Sequence, residues 1–106
     1  MSASEQEFER AADVELHRLL AAIESLGLDL EAELSMGILT LSFPDGAEYI
    51  INSHRAARQI WMAAERTAWH FDLDGTRWVA KKSNEELTAT LEGVLSKKAG
   101  KKVALR

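Results

Sequence analysis

Ile38-Leu39-Thr40-Leu41-Ser42-Phe43-Pro44-Asp45-Gly46-Ala47-Glu48-Tyr49-Ile50-Ile51-Asn52 holds two alternating runs hinged on a Pro-Asp-Gly turn. Leu39, Leu41 and Phe43 alternate with Ile38, Thr40 and Ser42. Beyond the hinge, Ala47, Tyr49 and Ile51 alternate with Glu48, Ile50 and Asn52. Successive side chains of a strand point to opposite faces, so each run has one apolar side. A glycine with positive φ makes a tight turn, and tight turns join antiparallel neighbours. The stretch therefore predicts a hairpin with one face in a core.

The same period continues on both sides. Upstream, Leu30, Ala32 and Leu34 alternate with Asp29, Glu31 and Glu33 before a turn at Ser35-Met36-Gly37. Downstream, a polar loop from Ser53 to Ala57 leads into a strand over Gln59–Ala63. There Ile60 and Met62 face the core, while Gln59 and Trp61 face outward. Trp69, Phe71 and Leu73 alternate with His70 and Asp72, and Asp74-Gly75 turns the chain into Arg77-Trp78-Val79-Ala80. Trp69 and Trp78 fall on the core side of their strands, and Trp61 alone falls outside.

Helical spacing brackets these strands. Ser4 with Glu7 is a capping box opening a helix through Phe8, Ala12, Leu16, Leu19, Ile23 and Leu26, with Gly27 as its stop. Ser83 with Glu86 suggests a second box, opening a helix through Leu87, Leu91, Val94 and Leu95. Lys97 and Lys98 suit its C-terminal end, and Gly100 closes it. The expected fold is α+β: a two-layer sandwich with an antiparallel sheet of about six strands and an N-terminal and a C-terminal helix packed on one face. Residues 1–106 form one domain, with a loosely held tail from about residue 100.

Bulk properties narrow the chemistry. With no cysteine among 106 residues, disulfides, thiolate metal sites and cysteine nucleophiles are excluded. No apolar run approaches the ~20 residues needed to span a bilayer, and the opening Met-Ser-Ala-Ser-Glu has no leader pattern. A cytoplasmic protein is expected. Residues 1–50 hold eleven acids against Arg10 and Arg18, a balance of −9, whereas residues 51–106 balance at +5. Such polarity suits a charged interaction face as well as ordinary solvated surfaces. Nucleic-acid binding is not expected from a chain with a pI near 5.4 and an acidic first half.

Taken together, Gly37–Phe43, the hairpin, Tyr49-Ile50-Ile51-Asn52, Gln59-Ile60-Trp61, His70-Phe71-Asp72-Leu73 and Arg77-Trp78-Val79 resemble the frataxin family in its bacterial form. The likeness runs collinearly from about Phe8 to Gly100. It implies an accessory protein of iron–sulfur cluster assembly that binds a cysteine desulfurase and a scaffold protein. It also implies weak iron (Fe2+/Fe3+) binding by acids of the first helix and first strand. Carried over by position, the partner-contacting residues are Asn52, Gln59 and Trp61, with His70 nearby, and the acidic strand residues are Asp29, Glu31 and Glu33. The chain departs from that family in keeping Glu24 as the only acid at the end of the first helix and in lacking a proline before Gln-Ile-Trp.

The residues themselves allow more than one use. Asp29, Glu31 and Glu33 project from one side of a strand at roughly 6.5–7 Å spacing, and stacked carboxylates are relieved by a hard cation. One strand face cannot wrap an ion, and an acidic edge strand also resists edge-to-edge association. Glu9, Asp13 and His17 share a helix face by their spacing of four, which suits either ligands or solvent. An outward tryptophan flanked by amides suits recognition. The alternatives are an iron chaperone or store with ferroxidase activity, and a diverged protein-interaction module. The chain is expected to be a monomer, with metal-dependent oligomers left open.

Overall fold

The computed structural model describes residues 4–106. In chain order the elements are α1 (Glu5–Ser25), β1 (Glu31–Ser35), β2 (Ile38–Ser42), β3 (Glu48–His54), β4 (Gln59–Ala64), β5 (Thr67–Asp74), β6 (Arg77–Ala80), β7 (Glu85–Glu86) and α2 (Leu87–Ala99). The strands form one sheet in the order β1-β2-β3-β4-β5-β6-β7, and every neighbouring pair is antiparallel. Sequence order is thus spatial order.

Helix α1 begins as its sequence predicts. The Ser4 hydroxyl accepts a hydrogen bond from the Glu7 N–H at 3.2 Å, satisfying one of the helix's orphan donors. Its buried stripe is Phe8, Ala12, Leu16, Leu19 and Ile23, spaced by three and four. That stripe lies on the sheet face made by Leu39, Leu41, Tyr49, Ile51, Ile60, Met62, Phe71 and Trp78, all 3% exposed or less. Each such Leu, Ile or Phe contributes about 1.5–3 kcal/mol by leaving water. α1 covers the β1–β3 half of the sheet and α2 the β6–β7 half. Phe8 meets Trp78 edge-on between them, centroids 5.8 Å apart. Among the described residues, the opposite face of the sheet carries no helix.

Turn chemistry sets the register. β1 and β2 are joined by Met36-Gly37, both at positive φ (51° and 78°), the pattern a two-residue hairpin loop requires. Among the described residues, no helix is long and apolar enough to cross a membrane.

Three expectations are corrected. The segment from Ser53 is not all loop: β3 continues through His54, because Ser53 and His54 pair with Ile60 and Gln59 and the Ser53 N–H reaches the Gly37 carbonyl at 2.9 Å. The Ser83/Glu86 capping box does not form. Asn84 takes a left-handed φ of 62°, and Glu85 and Glu86 pair with Ala80 and Val79 as a seventh strand. The helix starts at Leu87 rather than at Asn84, and Glu86 caps it without a side-chain hydrogen bond. Nor is the tail loosely held. Val103 and Leu105 are buried in the core, their N–H groups bound by Ser96 Oγ (2.8 Å) and Glu92 Oε2 (2.7 Å), while Arg18 donates to the Leu105 carbonyl at 2.9 Å.

Candidate functional site: the open face of the sheet

The register reads out the helix-free face in rows. One row runs Ser35, Ile38, Asn52, Trp61, His70 across β1 to β5. On one side lies the row Glu33, Thr40, Ile50, Ala63, Ala68, and on the other the row His54, Gln59, Asp72, Val79, Glu86. Ile38 and Ile50 are 40% and 36% exposed, so the face mixes bare aliphatic surface with amides, imidazoles and one indole.

Trp61 is the centre of this face and is only half-exposed. Its indole is stacked between two imidazoles: the His54 ring lies 3.8 Å away at 16°, and the His70 ring 4.2 Å away at 14°. Its Nε1–H donates to Gln59 Oε1 at 2.8 Å, and the Gln59 amide nitrogen donates in turn to both Asp72 carboxylate oxygens at 3.2 and 3.3 Å. Such a face, with large aromatic area and spare hydrogen-bonding capacity around it, is equipped to recognise a partner.

The groups whose ionisation the fold perturbs lie elsewhere. Tyr49 is buried on the core side, and burial together with its bond to Glu65 pushes its phenol above the usual range. Asp45 is held below the carboxylate range by Lys98 and the Ala47 N–H. Hydrogen bonding to Glu15 raises Arg18.

The acids fall into separate groups. Glu31 and Glu33 stand exposed on β1, at the sheet edge, and with Glu24 at the end of α1 they border a shallow depression floored by Ile23, Leu28 and Leu30. Asp29 precedes the strand and borders a different depression, beside Asp45, Lys98 and Lys101. Glu9 and Asp13 lie half a helix away. Glu9 is paired with Arg55, and Asp13 accepts from His17 Nδ1, whose distance to the Asp13 carbonyl is 2.8 Å and to its carboxylate 3.3 Å. Among the described residues, no three histidines or acids converge closely enough to hold a metal ion.

A family model described as a frataxin-like domain matches residues 1–101. The chain belongs to the frataxin family. It is 37% identical over 103 residues to the iron–sulfur cluster assembly protein CyaY of Dechloromonas aromatica, covering 96% of this chain and 98% of that one. It is 35% identical over 96 residues to the Vibrio cholerae protein of the same name, covering 91% and 92%. Among solved structures, frataxin from Psychromonas ingrahamii superposes with a TM-score of 0.91 at 25% identity, covering 98% of this chain and 99% of that one. Trimeric frataxin from Saccharomyces cerevisiae, complexed with ferrous iron, gives 0.76 at 30% identity, covering 95% and 90%. The resemblance read from the sequence and the two-layer α+β fold both hold.

On this frataxin fold, Asn52, Gln59, Trp61 and His70 come together in two adjacent rows. His54 and Asp72 belong with them and were missed. The signal for His54 was present, since period two from Asn52 carries it to the same face, but the polar residues around it read as loop. Arg55, in the turn after β3, faces Glu5 and Glu9 on α1 rather than this patch.

Proposed function

We propose that this frataxin-like chain is a cytoplasmic accessory protein of iron–sulfur cluster assembly. It docks on a cysteine desulfurase–scaffold complex through the open face around Asn52, Gln59, Trp61 and His70. The observation that carries this reading is the aromatic and amide row on a helix-free sheet, in a chain whose relatives are named for cluster assembly. Iron is cargo rather than a resident cofactor. Glu24, Glu31 and Glu33 on one depression, with Asp29 nearby in sequence and Glu9 and Asp13 further along α1, offer hard oxygen donors. Their separation means that an ion there keeps much of its water and is held weakly. The same carboxylates attract a basic partner surface.

The second reading, an iron chaperone or store, is favoured by the ferrous complex of the trimeric yeast relative. Reconstituted cluster assembly on the host's scaffold separates the two. Adding the chain changes the rate of cluster formation, and an Asp29/Glu31/Glu33→Ala variant loses iron binding in calorimetry while still associating with the desulfurase. An assembly rate indifferent to the chain, with iron binding intact, favours the chaperone.

A further inference from the structure

We propose that His54 is a positioning residue of the docking face: with His70 it clamps the Trp61 indole, so that a partner meets the edge of a side chain already ordered. This rests on the docking role above.

The direct cross-strand neighbours of Trp61 are Asn52 on β3 and His70 on β5. His54 lies two residues beyond Asn52, on the diagonal, a distance that long and aromatic side chains span. The indole leans across that diagonal until its plane lies 16° from the His54 imidazole. With His70 at 14° on the other side, both π faces are covered, and Gln59 takes the N–H. What remains for a partner is the carbon edge of the indole and the outer edges of two imidazoles. An aromatic edge carries the positive side of the ring's quadrupole, which suits backbone carbonyls or the face of another ring.

His54 is itself well held. It pairs with Gln59 at the end of the β3–β4 ladder, and its Nδ1 accepts from the Ala57 N–H at 3.2 Å. The turn closes with the Arg58 N–H on the Arg55 carbonyl at 3.1 Å. The Arg55–Glu9 ion pair ties the turn to α1, but Arg55 is 68% exposed and a surface pair contributes little. Strand pairing and the turn, rather than that ion pair, fix the imidazole.

Immobilising a free side chain on binding costs conformational entropy, and a clamped indole avoids that loss. Removing His54 should therefore weaken docking by about three- to tenfold. The test uses the full chain and reads two things. Nitrogen–proton correlation spectra resolve the three indole N–H groups, with that of Trp61 assigned through Trp61→Phe. In His54→Ala the Trp61 resonance moves, having lost the ring current of one imidazole, while those of Trp69 and Trp78 stay and report an intact fold. Affinity for the desulfurase–scaffold complex falls, and His54→Phe, which stacks without an imidazole, restores most of it. A Trp61 resonance unmoved in His54→Ala overturns the clamp. So does unchanged affinity despite a moved resonance, or a His54→Phe variant no better than His54→Ala. Trp61→Ala at full affinity would instead remove the docking role itself, and the proposal with it.

Discussion

At the scale of single residues, Tyr49 shows how the core reaches the surface. Its ring packs edge-on against Phe43, centroids 4.7 Å apart, while its hydroxyl donates to Glu65. Glu65 and Arg66 form the β4–β5 turn at φ 50° and 63°, a conformation costly for residues with a Cβ. The tyrosine bond is therefore one of the contacts that hold a turn its own residues disfavour. Because burial and Glu65 raise the folded phenol above its unfolded value near 10, the unfolded chain loses that proton first as pH rises. Stability should be fully present below pH ~10 and fall above it, and Tyr49→Phe should flatten that fall in denaturant midpoints measured from pH 8 to 11. A fall as steep in the variant would place its origin elsewhere. Residue-scale alternation made Tyr49 and Trp61 legible in advance, since one apolar side per strand fixes inward and outward. It could not show the His54 imidazole on Trp61, because a diagonal contact depends on how two strands pair.

At the scale of elements, the C-terminal segment is the clearest case of structure that only tertiary packing creates. Lys101 and Lys102 lead into Val103-Ala104-Leu105, too short to announce a strand or helix. Its burial depends on Ser96 and Glu92 of α2 and on Arg18 of α1, none of them near it in α1 and α2's own local patterns. Deleting residues 101–106 exposes the groove those two side chains fill. Urea unfolding should show a lower midpoint, because two buried apolar side chains and three hydrogen bonds are lost together. An unchanged midpoint would mean the segment lies on the surface without supporting it. Strand β7 was hidden for a related reason: Ser83-x-x-Glu86 is a sound local helix start, but the open edge of β6 offers Glu85 and Glu86 ladder hydrogen bonds instead.

At the scale of the whole molecule, the sequential strand order turns a property of the chain into a property of its shape. Residues 1–50, balanced at −9, include α1, β1, β2 and the start of β3, and residues 51–106, balanced at +5, include the rest of β3, β4–β7 and α2. The molecule is 40 Å in its longest dimension, several times the screening length of about 8 Å at physiological salt. The acidic surface can orient the chain as it approaches a basic partner, although Arg55 and Lys98 of the second half pair with Glu9 and Asp45 of the first. Orientation alone does not make a docking site; the face must also supply affinity. The most direct measurement is the affinity of Trp61→Ala, against the unaltered chain, for the assembled desulfurase–scaffold complex at physiological salt. The docking role predicts a loss of about 2 kcal/mol or more, roughly thirtyfold in Kd. Binding of Trp61→Ala at the affinity of the unaltered chain would contradict it.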